Sequence, residues 1–561
     1  MCGIFAIFSK DGQPILPRKF NTRPESLRQV ATRQSQKQRH RGPDFTGVEI
    51  IENHGVAMVH ERVCIVGVHT GHQPFKSQDG TIFMIANGEI YNYLEQSAEI
   101  AKKRGAYQPK SDCNVIIELY EEYGENLFEY ITGMFAIALY DTKTKTILLA
   151  RDPFGIISMY YGEDEYGNIW VSSEMKCLVG VCRKVENFPP GVMRIGKAGA
   201  LKEKRFFQQN WQSRIPRDPT DLSVLRQTFI SAVRSHLHCD CLYGALLSGG
   251  VDSSLVASIA TKIIRETDPS FRLKTFSVGL EGAPDFKYSK MVADYIDSDH
   301  TEVYFTVEQG IDCIRDIIHH LETYDVTTVR CSIPMLLLTR YIKSTGIKMI
   351  LSGEGADEIF GGYLYFFNAP DPEQFHEELV TRVGNLYLSD CLRANKVSLA
   401  KGVELRVPFL DTAFVNYAMS IRPEDKIPGK LNCFEGIQTH RIEKHILRKA
   451  FGEGYLPDEV LWRQKEQFSD GVGYNWIDTI REHASSQIND EEFARAAEIY
   501  PINTPTTKEA FYYREIFAEL FPGDDAARTV KRWVPRQDWG CPEDPSGRAQ
   551  KMHENKTEGK K

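Results

Sequence analysis

Up to about Leu201 the apolar positions fall in short runs bounded by polar or turn-forming residues: IFAIF, TIFMIA, MFAIALYD, TILLARD and NIWVSS. Runs of this length, rich in β-branched and aromatic side chains, predict strands, and the polar TKTK between two of them predicts a hairpin turn. Helical spacing shows at Val115–Glu122 and at Ser173–Leu178. Layered sheets with flanking helices are therefore expected in the first half. From about Asp221 the rhythm changes to strand followed by helix: YGALL before SSLVASIATKII, LKTFSVGL before YSKMVADYI, and IKMILSG before a helical region. That alternation predicts parallel strands joined by crossover helices, so the whole chain reads as α/β. The polar, Pro-bearing QQNWQSRIPRDPTD reads as a linker, and EDPSGRAQKMHENKTEGKK, without periodicity, as a mobile tail.

A chain of 561 residues exceeds one ordinary core, so two domains are expected. A net charge of -8 gives no support to bulk binding of nucleic acid, which needs a dense basic surface. No stretch approaches the ~18 apolar residues of a membrane span, and the N-terminus lacks a secretory core, so a cytosolic enzyme acting on small molecules is expected. The 12 cysteines contain no CxxC pair. Only Cys239 and Cys241 are close, on one face of an expected strand, and reduced core thiols account for most of the set.

The most specific signal is LYGALLSGGVDSSLVAS. An apolar strand runs into Ser248-Gly249-Gly250, whose small residues let backbone N–H groups approach an anion. Ser253-Ser254 then open a helix whose N-terminus carries partial positive charge. The stretch lacks the GK[ST] ending of a Walker loop, which excludes the usual γ-phosphate-transferring NTPase. SGGxDSS resembles the loop of the adenine-nucleotide α-hydrolases, which cleave ATP to AMP and pyrophosphate while adenylating a carboxylate. A second apolar strand leads into SGEGADEIFGGY, placing Glu354, Asp357 and Glu358 in one turn. With Asp252, these acids are candidates to hold the Mg2+ that escorts ATP phosphates. Lys465 in RQKEQFSDG is placed to neutralise a departing pyrophosphate.

At the other end the chain begins MCGIFAIF. Removal of Met1, which a small second residue permits, would leave Cys2 with a free α-amine near pH 8 able to take the proton from its own thiol. Asn87-Gly88 in IANGEIYN offer an amide side chain and a backbone N–H to a developing oxyanion. Arg41 in RHRGPD and Arg62 in HERVCIV are able to grip a carboxylate, although RGPD also reads as a turn. Asp112 reads equally as a helix cap or as the partner of an ammonium group.

With these residues in hand, the chain resembles the glutamine-hydrolysing asparagine synthetases nearly end to end. MCGIF, RHRGPD, NGEIYN, GMFAIALYD, SSEMK, LLSGGVDSS, ETYDVTTVR, SGEGADEIFGGYLYF, RVPFLD, EKHILR and WRQKEQFSDGVGY carry the likeness. The resemblance implies an αββα N-terminal-nucleophile glutaminase over 2–205, an ATP-pyrophosphatase synthetase domain over 220–535 and a mobile tail over 536–561. It implies glutamine held by Arg62, Val63, Cys64, Ile65, Val66, Asn87, Gly88, Glu89 and Asp112. ATP would be held by Leu246, Ser248, Gly249, Gly250, Asp252, Ser253, Val278, Ser352 and Gly353, with Glu354 beside the aspartyl-adenylate and Mg2+ on Asp252 and Asp357. Glutamine, aspartate and ATP are the implied substrates, and a homodimer the implied assembly. HERVCIVGV departs from the family's HERLSIVD pattern at Val63, Cys64 and Gly67, so main-chain contacts to glutamine are expected to survive and a contact from the missing acid is not. The segment before RHRGPD and the stretch IPGKLNCFEGIQTHR look longer than in compact relatives.

The expected chemistry is attack of Cys2 on the glutamine amide, release of ammonia, and its capture by β-aspartyl-AMP in the second domain. Ammonia in water becomes ammonium, so a shielded passage between the sites is expected. A β-lactam-forming synthetase would need no ammonia and hence neither Cys2 nor Asn87-Gly88. A tRNA-thiolating enzyme would need a thiol pair and a basic face, and a non-catalytic relative would not keep Cys2, Asp252, Asp357 and Lys465 together.

Overall fold

The computed structural model describes residues 2–15, 18–20, 23–105, 107–432, 438–473, 475–544 and 549. Strands of the first half are β1 (Gly3–Phe8), β2 (Phe45–Ile51), β3 (Val56–Arg62), β4 (Phe75–Lys76), β5 (Ile82–Ile90), β6 (Gly133–Asp141), β7 (Thr146–Arg151), β8 (Tyr160–Glu163), β9 (Ile169–Ser172), β10 (Lys184–Asn187), β11 (Val192–Gly196) and β12 (Lys202–Arg205). They form two antiparallel six-stranded sheets, ordered β10-β8-β9-β1-β3-β2 and β12-β11-β7-β6-β5-β4.

Why the runs are continuously apolar follows from the layering. On β5 and β6, Phe83, Ile85, Met134, Ala136 and Ala138 join the core shared with β1 and β3. The alternate residues Ile82, Met84, Phe135, Ile137 and Leu139 join a second core. Helices α2 (Tyr93–Arg104) and α3 (Val115–Tyr123) complete that second core through Ile100, Ile116 and Leu119. Successive strand residues point to opposite faces, so a strand covered on both sides cannot alternate apolar with polar. Helix α1 (Leu27–Gln36) packs on β1 and β3 across the other sheet, which completes αββα.

The second half carries a parallel five-stranded sheet built from β13 (Tyr243–Leu246), β14 (Lys274–Gly279), β15 (Asp299–Tyr304), β16 (Met349–Leu351) and β17 (Glu404–Arg406), in the order β15-β14-β13-β16-β17. The chain enters it from α4 (Leu222–His236), capped by the Asp221 carboxylate, and α5 (Val251–Arg265) follows β13. Because the order steps outward from β13 in both directions, the loops after β13 and β16 flank a switch point at the C-terminal edge of the sheet, where such folds bind ligands.

Three expectations are corrected. Ser173–Leu178 holds only a single 3-10 turn, Met175–Cys177, because this segment is committed to contacts with the other half. Cys239 and Cys241 lie in a bend before β13, which starts at Tyr243, and not on a strand. Trp539 and Cys541, expected in the tail, are buried, and Trp539 packs against Tyr365 and Phe366. Residues 545–548 and 550–561 of that tail, and 433–437 of the longer stretch, lie outside the described residues.

The halves are joined by buried charge. Lys176 pairs with Glu174, and Lys396 with Glu322. Glu322 also accepts from the backbone N–H groups of Met175 at 2.7 Å and Lys176 at 2.6 Å, and Lys396 donates to Tyr160 Oη at 2.8 Å. Removing one partner of a fully buried pair strands the other, which costs about 3 kcal/mol or more. Lys396→Met is therefore expected to lower the urea unfolding midpoint by that equivalent, and an unchanged midpoint would contradict the assignment.

Candidate functional site

The first centre forms where β1, β3 and β5 meet. Cys2 precedes β1 and is buried, its Sγ 3.7 Å from the carbonyl oxygen of Val63. Burial pushes the thiol up to about 11, so nucleophilic attack at neutral pH requires a base at the sulfur. Its backbone is held on two sides: the N–H donates to Asn87 Oδ1 at 2.5 Å, and the carbonyl accepts from Arg41 Nε at 2.9 Å. Asn87 Nδ2 donates to Ser173 Oγ at 3.3 Å, which sets the amide with its oxygen toward the Cys2 nitrogen. Beside it, a Cβ on Gly88 would stand 1.9 Å from the Met134 carbonyl oxygen, so only glycine fits at this φ of +147°.

The segment Arg62–Val66 leaves β3 and wraps this centre with buried residues. The Arg62 guanidinium turns onto the carbonyl oxygens of Gly67 at 2.7 Å and Val68 at 3.1 Å, so in this arrangement it shapes its own loop. Cys64 donates its N–H to Asp44 at 2.9 Å, while the backbones of Val63 and Ile65 supply carbonyl acceptors. Asp112 does not cap a helix side-chain fashion: its carboxylate accepts from the Ile90 N–H at 2.8 Å, at the end of β5. Burial pushes the carboxyls of both Asp112 and Glu89 up, Glu89 further because Glu404 lies near it, while Arg406 at 2.8 Å opposes the rise. Arg41, expected as a turn residue or a carboxylate grip, is fully buried and reaches Glu174 at 3.1 Å and Asn395 at 2.8 Å.

The second centre lies after β13 and β16. Gly249 has φ +77°, and a Cβ there would meet the Ser289 nitrogen at 2.5 Å, so the tight turn demands glycine. Ser248 Oγ and Ser253 Oγ lie 3.1 Å apart, bracing the loop. The N-cap of α5 is Gly250 with no side-chain cap, which leaves the helix's first N–H groups facing outward for an anion. The loop opens into a cavity lined by Leu246, Ser248, Asp252, Ser253, Val278, Ser352, Gly353, Glu354, Asp357 and Lys465. All the expected nucleotide residues except Gly249 and Gly250 line this one space, and Gly250 lines the adjoining recess beside Arg463 and Lys465.

Three acids in one turn do not share one cation here. Glu354 pairs with Arg393 at 2.7 Å, Glu358 accepts from the Tyr363 hydroxyl, and Asp357 pairs with Lys444 at 2.6 Å and Lys465 at 2.7 Å. Among the described residues no group of three or more His, Cys, Asp or Glu is arranged to hold a metal. Burial pushes Glu354 and Glu358 up, whereas for Asp357 the two lysines overcome burial and hold the carboxyl well below its ordinary value. Asp252 Oδ2 accepts from the Lys444 ammonium at 2.5 Å, and its Oδ1 is buried with no hydrogen-bond partner among the described residues.

Two residues of the second centre carried no local signal. Arg393 lines the cavity with Asp390, 3.0 Å away on the same helix, and its Nε has no hydrogen-bond partner among the described residues. Lys444 lies in EKHILR, a stretch that carries the family likeness but whose composition assigns the lysine no role.

Residues 1–206 match a family model described as "Glutamine amidotransferase domain", and 224–374 with 368–541 match one described as "Asparagine synthase". A Saccharomyces cerevisiae protein named asparagine synthetase [glutamine-hydrolyzing] 1 is 44% identical over 100% of both chains. The asparagine synthetase B [glutamine-hydrolyzing] of Escherichia coli is 44% identical over 99% of this chain and 100% of its own. An asparagine synthetase [glutamine-hydrolyzing] of Brassica oleracea is 45% identical over 98% and 93%.

Lys444→Met would leave Asp252 and Asp357 facing each other without their shared ammonium, at a cost of about 3 kcal/mol near pH 7. Because the folded Asp357 carboxyl titrates below its unfolded value, its contribution is complete above about pH 4 and drains away as acid protonates it. The stability gap between wild type and K444M, read from urea midpoints, is therefore expected to narrow below pH 4.

Proposed function

The chain belongs to the family of glutamine-hydrolysing asparagine synthetases, and from that premise we propose that it makes asparagine from aspartate, with ATP as energy source and glutamine as nitrogen donor. AMP, pyrophosphate and glutamate are the other products. The observation that carries this reading is the coexistence, in one chain, of a cysteine at position 2 set against Asn87-Gly88 and an SGGVDSS cradle opening on a cavity lined by the expected nucleotide residues. Neither half alone requires the other's chemistry. Together they fit ammonia release and carboxylate activation.

In this proposal residues 2–205 are the glutaminase and 220–535 the synthetase. With Met1 removed, the Cys2 nitrogen becomes the α-amine that accepts the thiol proton, supplying the base that a thiol pushed up by burial lacks. Sγ attacks the glutamine amide. Gly88 N–H and the Asn87 amide hydrogen not engaged by Ser173 stabilise the oxyanion, and water then releases glutamate from the thioester. Arg62 to Val66, Glu89 and Asp112 surround glutamine, with Asp112 and Glu89 facing its ammonium group.

In the other half, Leu246, Val278, Ser352 and Gly353 hold the nucleoside, and Ser248 to Gly250, Asp252 and Ser253 the phosphates. The aspartate β-carboxylate attacks the α-phosphorus, pyrophosphate leaves toward Lys465, and ammonia displaces AMP beside Glu354. Arg393 Nε and Asp390 offer the aspartate α-carboxylate and α-ammonium opposite charges. The buried free Oδ1 of Asp252, with Asp357 alongside, fits one face of a Mg2+ site completed by phosphate oxygens. Bound Mg2+ would offset phosphate charge as pyrophosphate departs. A shielded route for ammonia would cross the joint between the halves. A cytosolic homodimer is proposed on family likeness, and light scattering checks the assembly. No helix among the described residues is long and apolar enough to cross a membrane.

Cys2→Ala is expected to reduce glutamine-driven asparagine formation by at least about 100-fold and to leave ammonia-driven formation intact. Loss of both would assign the cysteine to folding. Mass spectrometry of the active protein is expected to show Cys2 as its first residue, and ADP formed in place of AMP would overturn the cradle assignment.

A further inference from the structure

The short connector from α4 to β13 belongs to the nucleotide-binding half, yet its polar groups are spent on the glutamine side. Asp240 makes two contacts with the loop that follows β3: its backbone N–H donates to the Ile65 carbonyl oxygen at 2.9 Å, and its carboxylate accepts from the Gly67 N–H at 2.8 Å. The connector is itself anchored. Arg406 donates to the carbonyl oxygens of His236 at 2.8 Å and His238 at 2.7 Å, and the same guanidinium reaches Glu89 at 2.8 Å. The His238 ring meets the Tyr93 hydroxyl at 2.7 Å. A second strand start contributes likewise: Lys348, just before β16, donates to Asp44 at 2.7 Å, and Asp44 accepts from the Cys64 N–H.

We propose that Asp240 is a positioning residue of the glutamine pocket, supplied by the synthetase half. It sets the Ile65–Gly67 backbone, and through it the Val63 carbonyl that faces the Cys2 sulfur. Gly67 stands where the family pattern has an acid, so no side chain at that position can brace the loop; Asp240 supplies a carboxylate to its N–H instead. Two hydrogen bonds from one residue to main-chain groups two positions apart restrict loop rotation more than either would alone. The strand that continues from this connector ends at Leu246, two residues before Ser248, so β13 runs from the residues that touch the glutamine loop to those that begin the phosphate cradle.

This inference rests on the proposed function, and its test separates the two. Asp240→Ala keeps the backbone donor and removes the acceptor. The full-length variant is expected to raise the KM for glutamine about tenfold, the scale of one lost charge-assisted hydrogen bond, with kcat changed less. Ammonia-driven asparagine formation should match wild type. Asp240→Asn, whose side-chain oxygen can still accept from Gly67, should restore most of the affinity. An unchanged glutamine KM in D240A, or a parallel fall in ammonia-driven synthesis, would overturn the assignment. Should wild type hydrolyse glutamine without making asparagine, the function reading fails, and the KM for glutamine in hydrolysis alone still decides the role of Asp240.

Discussion

The arrangement depends on a cluster of charges with almost no access to water. Glu174, Lys176, Glu322, Lys396 and Arg41 come from both halves of the chain, and none is stable where it stands without the others. An apolar joint would bury comparable area, yet it would tolerate sliding. Charges that must meet at fixed distances do not, so the pairing specifies one relative placement of the two sheets systems. Both candidate centres inherit their geometry from that placement: Arg41 reaches from the cluster to the Cys2 carbonyl, and Asn395, one residue before Lys396, accepts from Arg41.

The two centres handle charge in opposite ways. Around Cys2 the carboxyls of Glu89 and Asp112 are pushed up by burial, which leaves them ready for a cationic group to enter and stabilise their charged forms. Around the cradle, lysines already outweigh burial at Asp357 and keep that acid ionised. In the proposed reading one pocket takes an ammonium and the other phosphates, and these require different standing potentials. Keeping them at opposite ends of short parallel strands lets each exist without neutralising the other.

Local glycine chemistry works at the same places. Gly88 lies against a neighbouring strand's carbonyl and Gly249 against the Ser289 nitrogen, so each lets backbone come where a side chain would block it. The consequence is that main-chain groups come within reach of a ligand at both candidate sites.

Read as sequence alone, the chain determined its strands, its crossover helices, the cradle and the cysteine at position 2, because each depends on near neighbours: two-residue or helical periodicity, turn glycines, an open helix start. The αββα layers and site roles came from family likeness, and continuous apolar runs agree with sheets covered on both faces. Only the tertiary structure decided which acid meets which base. Glu354 with Arg393, Asp357 with Lys444 and Glu89 with Arg406, like Asp240 with the Gly67 N–H, are pairs far apart in the chain, and no periodicity records them. The expected helix at Ser173–Leu178 was lost for the same reason, since Met175 and Lys176 give their N–H groups to Glu322. The cost of stranding a buried charge exceeds local helix propensity by several fold, and it acts only once the chain has brought the partners together.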